Sequence, residues 1–208
     1  GLSVLPGGFG RSTFAVAPRI PLAVSGSGCR IVDDAGRELI DVHNNFTALI
    51  HGHAHPAVVE AAERAFRNGS AFGLPNRVEF EHAQMMVERL DGMDQIRYAN
   101  SGTEAVMLAV RLARAVTGRD KIVFVRMAYH GHSDIALIPG GMAARKGVPA
   151  GVIQDTIEVA VNDVAGLTEV LQTQGTSIAA VIVDHLANRS GLIAVTPEFW
   201  NAARTLTE

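Results

Sequence analysis

Two continuous apolar runs constrain the fold of this chain more than any other feature. "KIVFV" (121–125) and "AAVIVDH" (179–185) have the length of strands and are almost wholly apolar. Such runs are typical of strands buried on both faces, as in a parallel sheet covered by helices on either side. A weaker helical pattern, "DVAGLTEVLQTQG" (163–175), precedes the second run. Strands that alternate with helices predict an α/β fold with a mainly parallel sheet.

Composition narrows the class of protein further. The chain has 208 residues, 48% of them hydrophobic, which is enough for a substantial core. The formal net charge is −3, and this argues against a nucleic-acid surface or a polybasic membrane patch. Cys29 is the only cysteine, there is no apolar run of membrane-spanning length, and no signal-peptide pattern is visible. We expect a cytoplasmic protein with no membrane and no nucleic-acid partner.

The N-terminal third reads as a smaller, less regular part. Residues 1–27 are rich in Gly, Pro and Ser and predict irregular loop, and a turn at Asp34-Ala35-Gly36 predicts a β-hairpin. Helical patterns follow at 55–69 and 79–90. We expect an N-terminal segment (1–68) that contributes to a small domain and the substrate entrance, and an incomplete large domain (69–208).

The stretch "YANSGTEAVMLAVRLARA" (98–115) joins a predicted short strand, "QIRYAN" (95–100), to a helix that Gly118 closes. The i, i+3, i+4, i+7 spacing predicts an apolar face on that helix. Its members are Ala105, Leu108, Ala109 and Leu112.

The polar junction "NSGTE" has two readings. Ser101-Gly-Thr-Glu104 fits the S-x-x-E capping box, which needs no ligand. A helix N-terminus with Gly102 and two flanking hydroxyl groups is also a seat for an anion. Spacing alone does not choose, and a capped end still exposes free N–H groups. Because the G-x-G-x-x-G and G-x-x-x-x-G-K-[ST] patterns are absent, a single phosphate fits better than a dinucleotide or triphosphate.

The motifs taken together resemble one known family. "YANSGTEAVMLAVRLARAVTGRDKIVFVRMAYHGHSD" is similar to the core of class III pyridoxal-phosphate (PLP) aminotransferases, closest to glutamate-1-semialdehyde aminomutases and β-amino-acid aminotransferases. Shorter matches in the family's order cover the rest, among them "LPGG" (5–8), "DDAGRELIDV" (33–42), "HGHAHPAVVEA" (51–61) and "IAAVIVDHLANRSG" (178–191). The resemblance implies the PLP-dependent transferase fold type I, with a mainly parallel sheet in an incomplete large domain and an N-terminal segment that contains a β-hairpin.

The resemblance implies a role for several residues. In the family the Ser-Gly-Thr turn binds the cofactor phosphate, and the aromatic residue of the Y-H-G motif stacks on the pyridine ring. These map to Ser101, Gly102, Thr103 and Tyr129, while His130 would contact ring substituents and Asn188 the 3′-oxygen. On the substrate side, Arg11 would pair with a carboxylate, or is a solvated loop charge, and Phe46 would line the pocket. Asp184 and His185 depart from the family's usual Glu-Pro.

Three histidines, His51, His53 and His55, raise the question of a metal site. The family uses "GHAHP" as an ordinary turn before a helix, and no cysteine lies near. We expect no metal site.

The groups that perform PLP chemistry are expected elsewhere. The family's Schiff-base lysine and the acid against the pyridine nitrogen lie in its second half, beyond Glu208 in this numbering. The two lysines of the chain, Lys121 and Lys146, do not match the catalytic position. We therefore predict an N-terminal half that does not transaminate by itself.

The function implied is PLP-dependent transfer of an amino group on an amino-acid-like or keto-acid substrate, in a homodimer. An intramolecular aminomutase of the glutamate-1-semialdehyde type remains an alternative. A second alternative is a non-catalytic binding protein that keeps half the fold, and a nucleotide-binding α/β domain is disfavoured by the missing glycine fingerprint.

Overall fold

The structure is a computed structural model, which describes residues 4–8, 10, 21–187, 189 and 191–208. The chain divides into two compact units, Gly1–Arg89 and Leu90–Glu208, and each is described by itself. The expected division of the whole fold into 1–68 and 69–208 stays a prediction.

A three-stranded antiparallel meander forms the centre of the first unit. Its strands are β1 (Ala23–Ser27), β2 (Arg30–Asp33) and β3 (Glu38–Ile40), in that spatial order. The predicted hairpin is confirmed as β2 and β3. The expectation of irregular loop up to residue 27 is wrong for β1, because ladder hydrogen bonds to β2 hold this Gly- and Ser-rich segment extended.

The turn of the hairpin is organised by one buried carboxylate, that of Asp33. Its Oδ1 accepts the backbone N–H groups of Ala35 (3.0 Å) and Arg37 (2.8 Å), and its Oδ2 accepts Arg37 Nε (2.8 Å). The pKa of Asp33 lies below its usual 3.8, chiefly because the Arg37 N–H and then its guanidinium bind the ionised form. The turn is therefore most stable when this carboxyl group is charged.

Three helical segments follow the meander. The first, α1 (Asn44–Thr47), is a single left-handed turn, with φ between 49° and 66° at all four residues. The turn α1 was not predicted, whereas the two helices that the sequence predicted in this region are confirmed as α2 (Pro56–Arg67) and α3 (Arg77–Arg89). Pro56 is the first residue of α2, where its missing N–H costs nothing, and Gly69, with a φ of +108°, follows its C-cap.

The second unit is built on a parallel three-stranded sheet. Its strands are β4 (Lys121–Val125), β5 (Thr156–Val159) and β6 (Ile178–Ile182), in the order β5-β4-β6. Helices α4 (Gly102–Thr117), α5 (Asp134–Leu137), α6 (Ala150–Gln154), α7 (Val164–Gln174) and α8 (Pro197–Thr207) surround the sheet, and two short strands, β7 (Leu186–Ala187) and β8 (Ile193–Ala194), pair beside it. The predicted α/β fold with a parallel sheet is confirmed.

Side chains of β4 alternate between two cores. Ile122 and Phe124 pack with Val110 of α4 and Ile135 of α5 on one face. Val123 and Val125 pack on the other face with residues of α7 and α8, of which Leu167 and Phe199 are fully buried. Because these four side chains have no exposed area, β4 is covered on both sides over residues 122–125, as its sequence predicted.

Two predictions about the junction before β4 are wrong. Residues 95–100 pair with no strand among the described residues, and a strand needs such a partner. The buried side of α4 is formed by Val110 and, partly buried, Val106, whereas Leu108 and Leu112 of the predicted face are exposed. The helix carries apolar residues on several sides, so periodicity alone does not tell which side meets the sheet.

No described helix combines the length and the apolar character needed to cross a membrane.

The Asp33 turn yields a prediction about pH. A carboxyl group with a lowered folded-state pKa stabilises the fold above its unfolded pKa, near 3.8, and the stabilisation disappears as the pH falls through the folded value. We expect Asp33→Asn to lower the free energy of unfolding at pH 7 and to make it less dependent on pH below 3.8. Urea unfolding followed by circular dichroism at several pH values measures both effects.

The matched control is Glu63→Gln, which removes the same charge from an exposed position on α2. It should leave both the stability at pH 7 and its acid dependence close to those of the unchanged chain. Equal behaviour of the two variants would contradict the role assigned to Asp33.

Candidate cofactor site

The N-terminus of α4 is capped as its sequence predicted. Ser101 is the N-cap residue, and its Oγ accepts the N–H of Glu104 at 3.2 Å. In return the Ser101 hydroxyl lies 3.3 Å from Glu104 Oε2, to which it donates. The capping reading of this stretch is therefore correct, but it satisfies only one of the free N–H groups of the first turn.

Two further N–H groups of that turn remain available. Among the residues that the structure describes, no acceptor is bonded to the backbone N–H of Gly102 or of Thr103. A Cβ built on Gly102 would meet no described atom outside its own helix turn within 4 Å, so the space in front of it is open. The unpaired donors, the positive end of the helix dipole and the hydroxyl groups of Ser101 and Thr103 together suit an anion.

The loop after β4 is held directly against this turn. The backbone N–H of His132 donates to Thr103 Oγ1 at 3.2 Å. Gly131 approaches so closely that a Cβ there would lie 2.5 Å from Thr103 Oγ1 and 2.8 Å from its Cα, and its φ is +99°. Only glycine fits such a position, so the Y-H-G and S-G-T motifs meet through Gly131.

The aromatic ring of Tyr129 lies on the surface, two residues before Gly131 in the same loop. Tyr129 is about half exposed, at 49%, and its hydroxyl lies 3.1 Å from His132 Nδ1. The two rings meet edge to face, with centroids 5.7 Å apart. The contact of its hydroxyl with His132 therefore fixes the orientation of the Tyr129 side chain. The face of the ring stays accessible to a flat ligand.

His130 occupies a different environment from its neighbours. It is 9% exposed and packs against Phe124 at 5.2 Å between centroids. Burial lowers the pKa of His130 below its usual 6.5, and the negative charge of Asp184 opposes part of that effect. Its Nε2 has no hydrogen-bond partner in the described part of the chain, and such a buried polar atom is usually paired in a complete site.

The segment after β6 reaches the same place. Arg189, which was not among the predicted site residues, lies with its Cζ 5.5 Å from the centre of the Tyr129 ring. Its neighbour Asn188, predicted to contact the 3′-oxygen, lies outside the described residues. No sequence pattern other than its place in "ANRSG" indicated that Arg189 belongs to the site. His132 could have been predicted as a site residue, because it is the second histidine of "YHGHS".

The predicted substrate residues belong to the first unit. Phe46 lies in the left-handed turn α1, where its ring meets that of His43 at 4.2 Å between centroids. Asp41 holds the start of this turn by accepting the N–H groups of His43 (3.0 Å) and Asn44 (2.9 Å). Arg11 lies outside the described residues.

His53 ties the turn to the meander. Its Nε2 lies 2.7 Å from Asp41 Oδ2, and this contact is the largest reason why the pKa of Asp41 lies below its usual 3.8. Its backbone exchanges two hydrogen bonds with Gly28, of 2.8 and 2.9 Å. His53, the first histidine of "GHAHP", thus has a structural partner in the carboxylate of Asp41, in its own unit.

The features of the second unit are those of a cofactor-binding α/β protein. Free N–H groups and hydroxyls at the start of α4 fit one phosphate group, and the accessible ring of Tyr129 fits a flat heterocycle. The unpaired Nε2 of the buried His130 adds a polar atom for its substituents. The residues present therefore fit pyridoxal 5′-phosphate, which combines a phosphate with a substituted pyridine ring.

Comparison with known proteins agrees with this class. Residues 15–208 match the family described as class-III aminotransferase. A glutamate-1-semialdehyde 2,1-aminomutase of Alkaliphilus metalliredigens is 39% identical over 215 aligned residues, which cover 99% of this chain and 49% of the relative. A solved transaminase with PLP bound has a TM-score of 0.94 at 39% identity, covering 99% of this chain and 50% of that one.

A second solved structure, an omega-transaminase from Sphaerobacter thermophilus, has a TM-score of 0.93 at 37% identity, with the same coverage of 99% and 50%. This chain belongs to the class III aminotransferase family, whose members depend on pyridoxal phosphate. It spans about half the length of the relatives that it matches.

The contact between Gly131 and Thr103 yields a prediction. Gly131→Ala forces a Cβ into the Thr103 backbone, whereas Gly147→Ala places one at a similar φ, +85°, with no atom within 4 Å. We expect the control to cost about 1–2 kcal/mol of stability through its backbone conformation. Gly131→Ala should cost about 1–3 kcal/mol more through the clash.

Urea unfolding at neutral pH measures both losses. Equal losses in the two variants would show that the loop and the turn do not depend on this close approach.

Proposed function

We propose that this chain is the cofactor-holding part of a PLP-dependent enzyme that transfers an amino group on an amino-acid-like substrate. The observation that carries the proposal is the approach of the Tyr129–His132 loop to the start of α4, made by Gly131 and Thr103. This contact brings together the two motifs to which the family's resemblance assigns the phosphate and the ring of the cofactor.

The proposed roles follow from the chemistry of each group. Ser101, Gly102 and Thr103 bind the phosphate through hydroxyl and backbone N–H donors. Tyr129 covers one side of the pyridine ring and excludes water from it. His130, neutral at pH 7 because burial lowers its pKa, offers Nε2 to a substituent of the ring, and Asn188 contacts the 3′-oxygen.

When bound, the cofactor supplies an electron sink that eases loss of a proton from the carbon bearing the amino group. On the substrate side, Arg11 pairs with a carboxylate and Phe46 lines the pocket. The lysine and the acid that complete the chemistry are proposed to lie beyond Glu208. The contact of Lys121 supports the proposal that the catalytic lysine is a different residue. Lys121 is the first residue of β4, and its Nζ donates a hydrogen bond to Gln174 Oε1 at 2.7 Å.

An intramolecular aminomutase is the second candidate. It is favoured by the names of the similar curated proteins, which are glutamate-1-semialdehyde 2,1-aminomutases. A ¹⁵N-labelled amino donor and an unlabelled keto-acid acceptor, given to the complete enzyme, separate the two. Label in the amino product of the acceptor indicates aminotransfer, whereas an amino group that moves only within its own molecule indicates the mutase. A homodimer in the cytoplasm remains part of the proposal.

Cofactor binding gives the direct test of the site. Thr103→Val removes one hydroxyl donor from the proposed phosphate seat, and a hydrogen bond to a charged group contributes about 1.5–3 kcal/mol. We expect the dissociation constant for PLP, measured by visible absorbance on the complete protein, to rise about 10- to 100-fold. Thr103→Ser should restore most of the affinity.

Thr117→Val is the matched control, since it makes the same substitution at the other end of α4, where the hydroxyl bonds to Ala113 O. Its PLP affinity should equal that of the unchanged protein. A featureless visible spectrum of the unchanged protein with PLP, or equal affinities in all variants, would refute the proposed site.

A further inference from the structure

One cation in the described site has no acidic partner. Arg189 forms no ion pair with any described carboxylate, and its guanidinium carbon Cζ lies 5.5 Å from the centre of the Tyr129 ring. Other arginines of the same unit are engaged: Arg145 and Arg126 with Glu158, Arg204 with Glu208, and Arg119 with the carbonyls of Gly175 and Ile178. Arg189 is therefore an available positive charge at the site.

Its position is the one at which α/β proteins bind ligands. Arg189 belongs to the segment that follows β6, and Tyr129 to the loop that follows β4, and these two strands are parallel neighbours. Their carboxyl ends, and hence both loops, share one edge of the sheet. Ligands of open α/β sheets bind outside that edge.

The contact with Tyr129 orders the guanidinium without consuming its donors. A cation over an aromatic face is attracted by the ring, while the N–H groups at the edge of the guanidinium stay free. The side chain also passes the turn at Ile138–Gly140, where its Nη1 lies 4.0 Å from the place of a Cβ on Gly140. A planar fork held in this way matches a carboxylate through two parallel hydrogen bonds.

We propose that Arg189 binds the carboxylate of the amino-acid-like substrate, as a second cation besides the proposed Arg11, and so sets the preference for acids over simple amines. The proposal rests on the proposed function, which supplies the substrate class. A carboxylate is favoured over the cofactor phosphate because the start of α4 already offers the phosphate the free N–H groups of Gly102 and Thr103. Arg189 lies over one face of Tyr129, and the proposal assigns the other face to the pyridine ring.

The test compares Arg189→Met, which keeps an unbranched stem, with Arg189→Lys, which keeps the charge without the fork. Both are made in the complete, PLP-loaded enzyme and assayed with 3-aminobutyrate and with 3-aminobutanamide, its neutral analogue. Binding of the unreactive acid butyrate is measured by calorimetry. Arg64→Met is the control, because Arg64 pairs with Glu60 on the exposed surface of α2.

For Arg189→Met we expect the KM for 3-aminobutyrate and the dissociation constant for butyrate to rise about 10- to 100-fold, as for loss of a charge-assisted pair. The KM for the amide, the PLP affinity and the control should not change, and Arg189→Lys should fall between. Arg11→Met, run alongside, shows whether the predicted Arg11 binds the same carboxylate.

Each other outcome is decisive. Butyrate binding that is absent or unaffected by Arg189→Met, or equal losses for acid and amide, overturns the proposal. A weaker PLP affinity with unchanged butyrate binding assigns Arg189 to the cofactor instead. Failure of the unchanged enzyme to take up PLP refutes the proposed function, whereas the butyrate titration still reports on Arg189 in that case.

Discussion

Burial of β4 on both of its faces is the interaction on which the second unit depends. Four successive side chains, from Ile122 to Val125, have no exposed area and alternate between two cores. Each contributes on the order of 1.5–3 kcal/mol relative to an exposed position. The same strand positions the candidate cofactor site. Helix α4 packs on one face of β4 through Val110, and the loop that contains Tyr129 begins where β4 ends.

Features that depend on local sequence were predictable. Pro56 and Gly69 mark the ends of α2, Ser101 and Gly118 those of α4, and the apolar run at 121–125 is a buried strand. The wrong predictions concern features that depend on contacts between residues far apart in the sequence, namely strand pairing and the side of a helix that packs on the sheet. Residues 23–27 became a strand because β2 offers a ladder, residues 95–100 found no partner among the described strands, and α4 turned a different side towards the sheet.

The candidate site divides in the same way. The Ser101–Thr103 and Tyr129–His130 motifs could be recognised because family resemblance carries residue types and spacing. The approach of Gly131 to Thr103 and the position of Arg189 over Tyr129 could not, since they join residues 28 and 60 positions apart only after folding. The left-handed turn at Phe46 was also unpredicted, because asparagine tolerates that backbone but Phe46 and Thr47 do not favour it.

That turn has a consequence for how the sequence can change. Each of its four residues would relax if replaced by glycine, which adopts positive φ without steric cost. Glycine would also enlarge the unfolded ensemble and weaken the restraint on the neighbouring ring. Replacing Phe46 by glycine therefore exchanges backbone strain for a larger unfolded ensemble, and it removes the aromatic ring itself. The strained backbone of α1 is thus coupled to a fixed position of the Phe46 ring against His43.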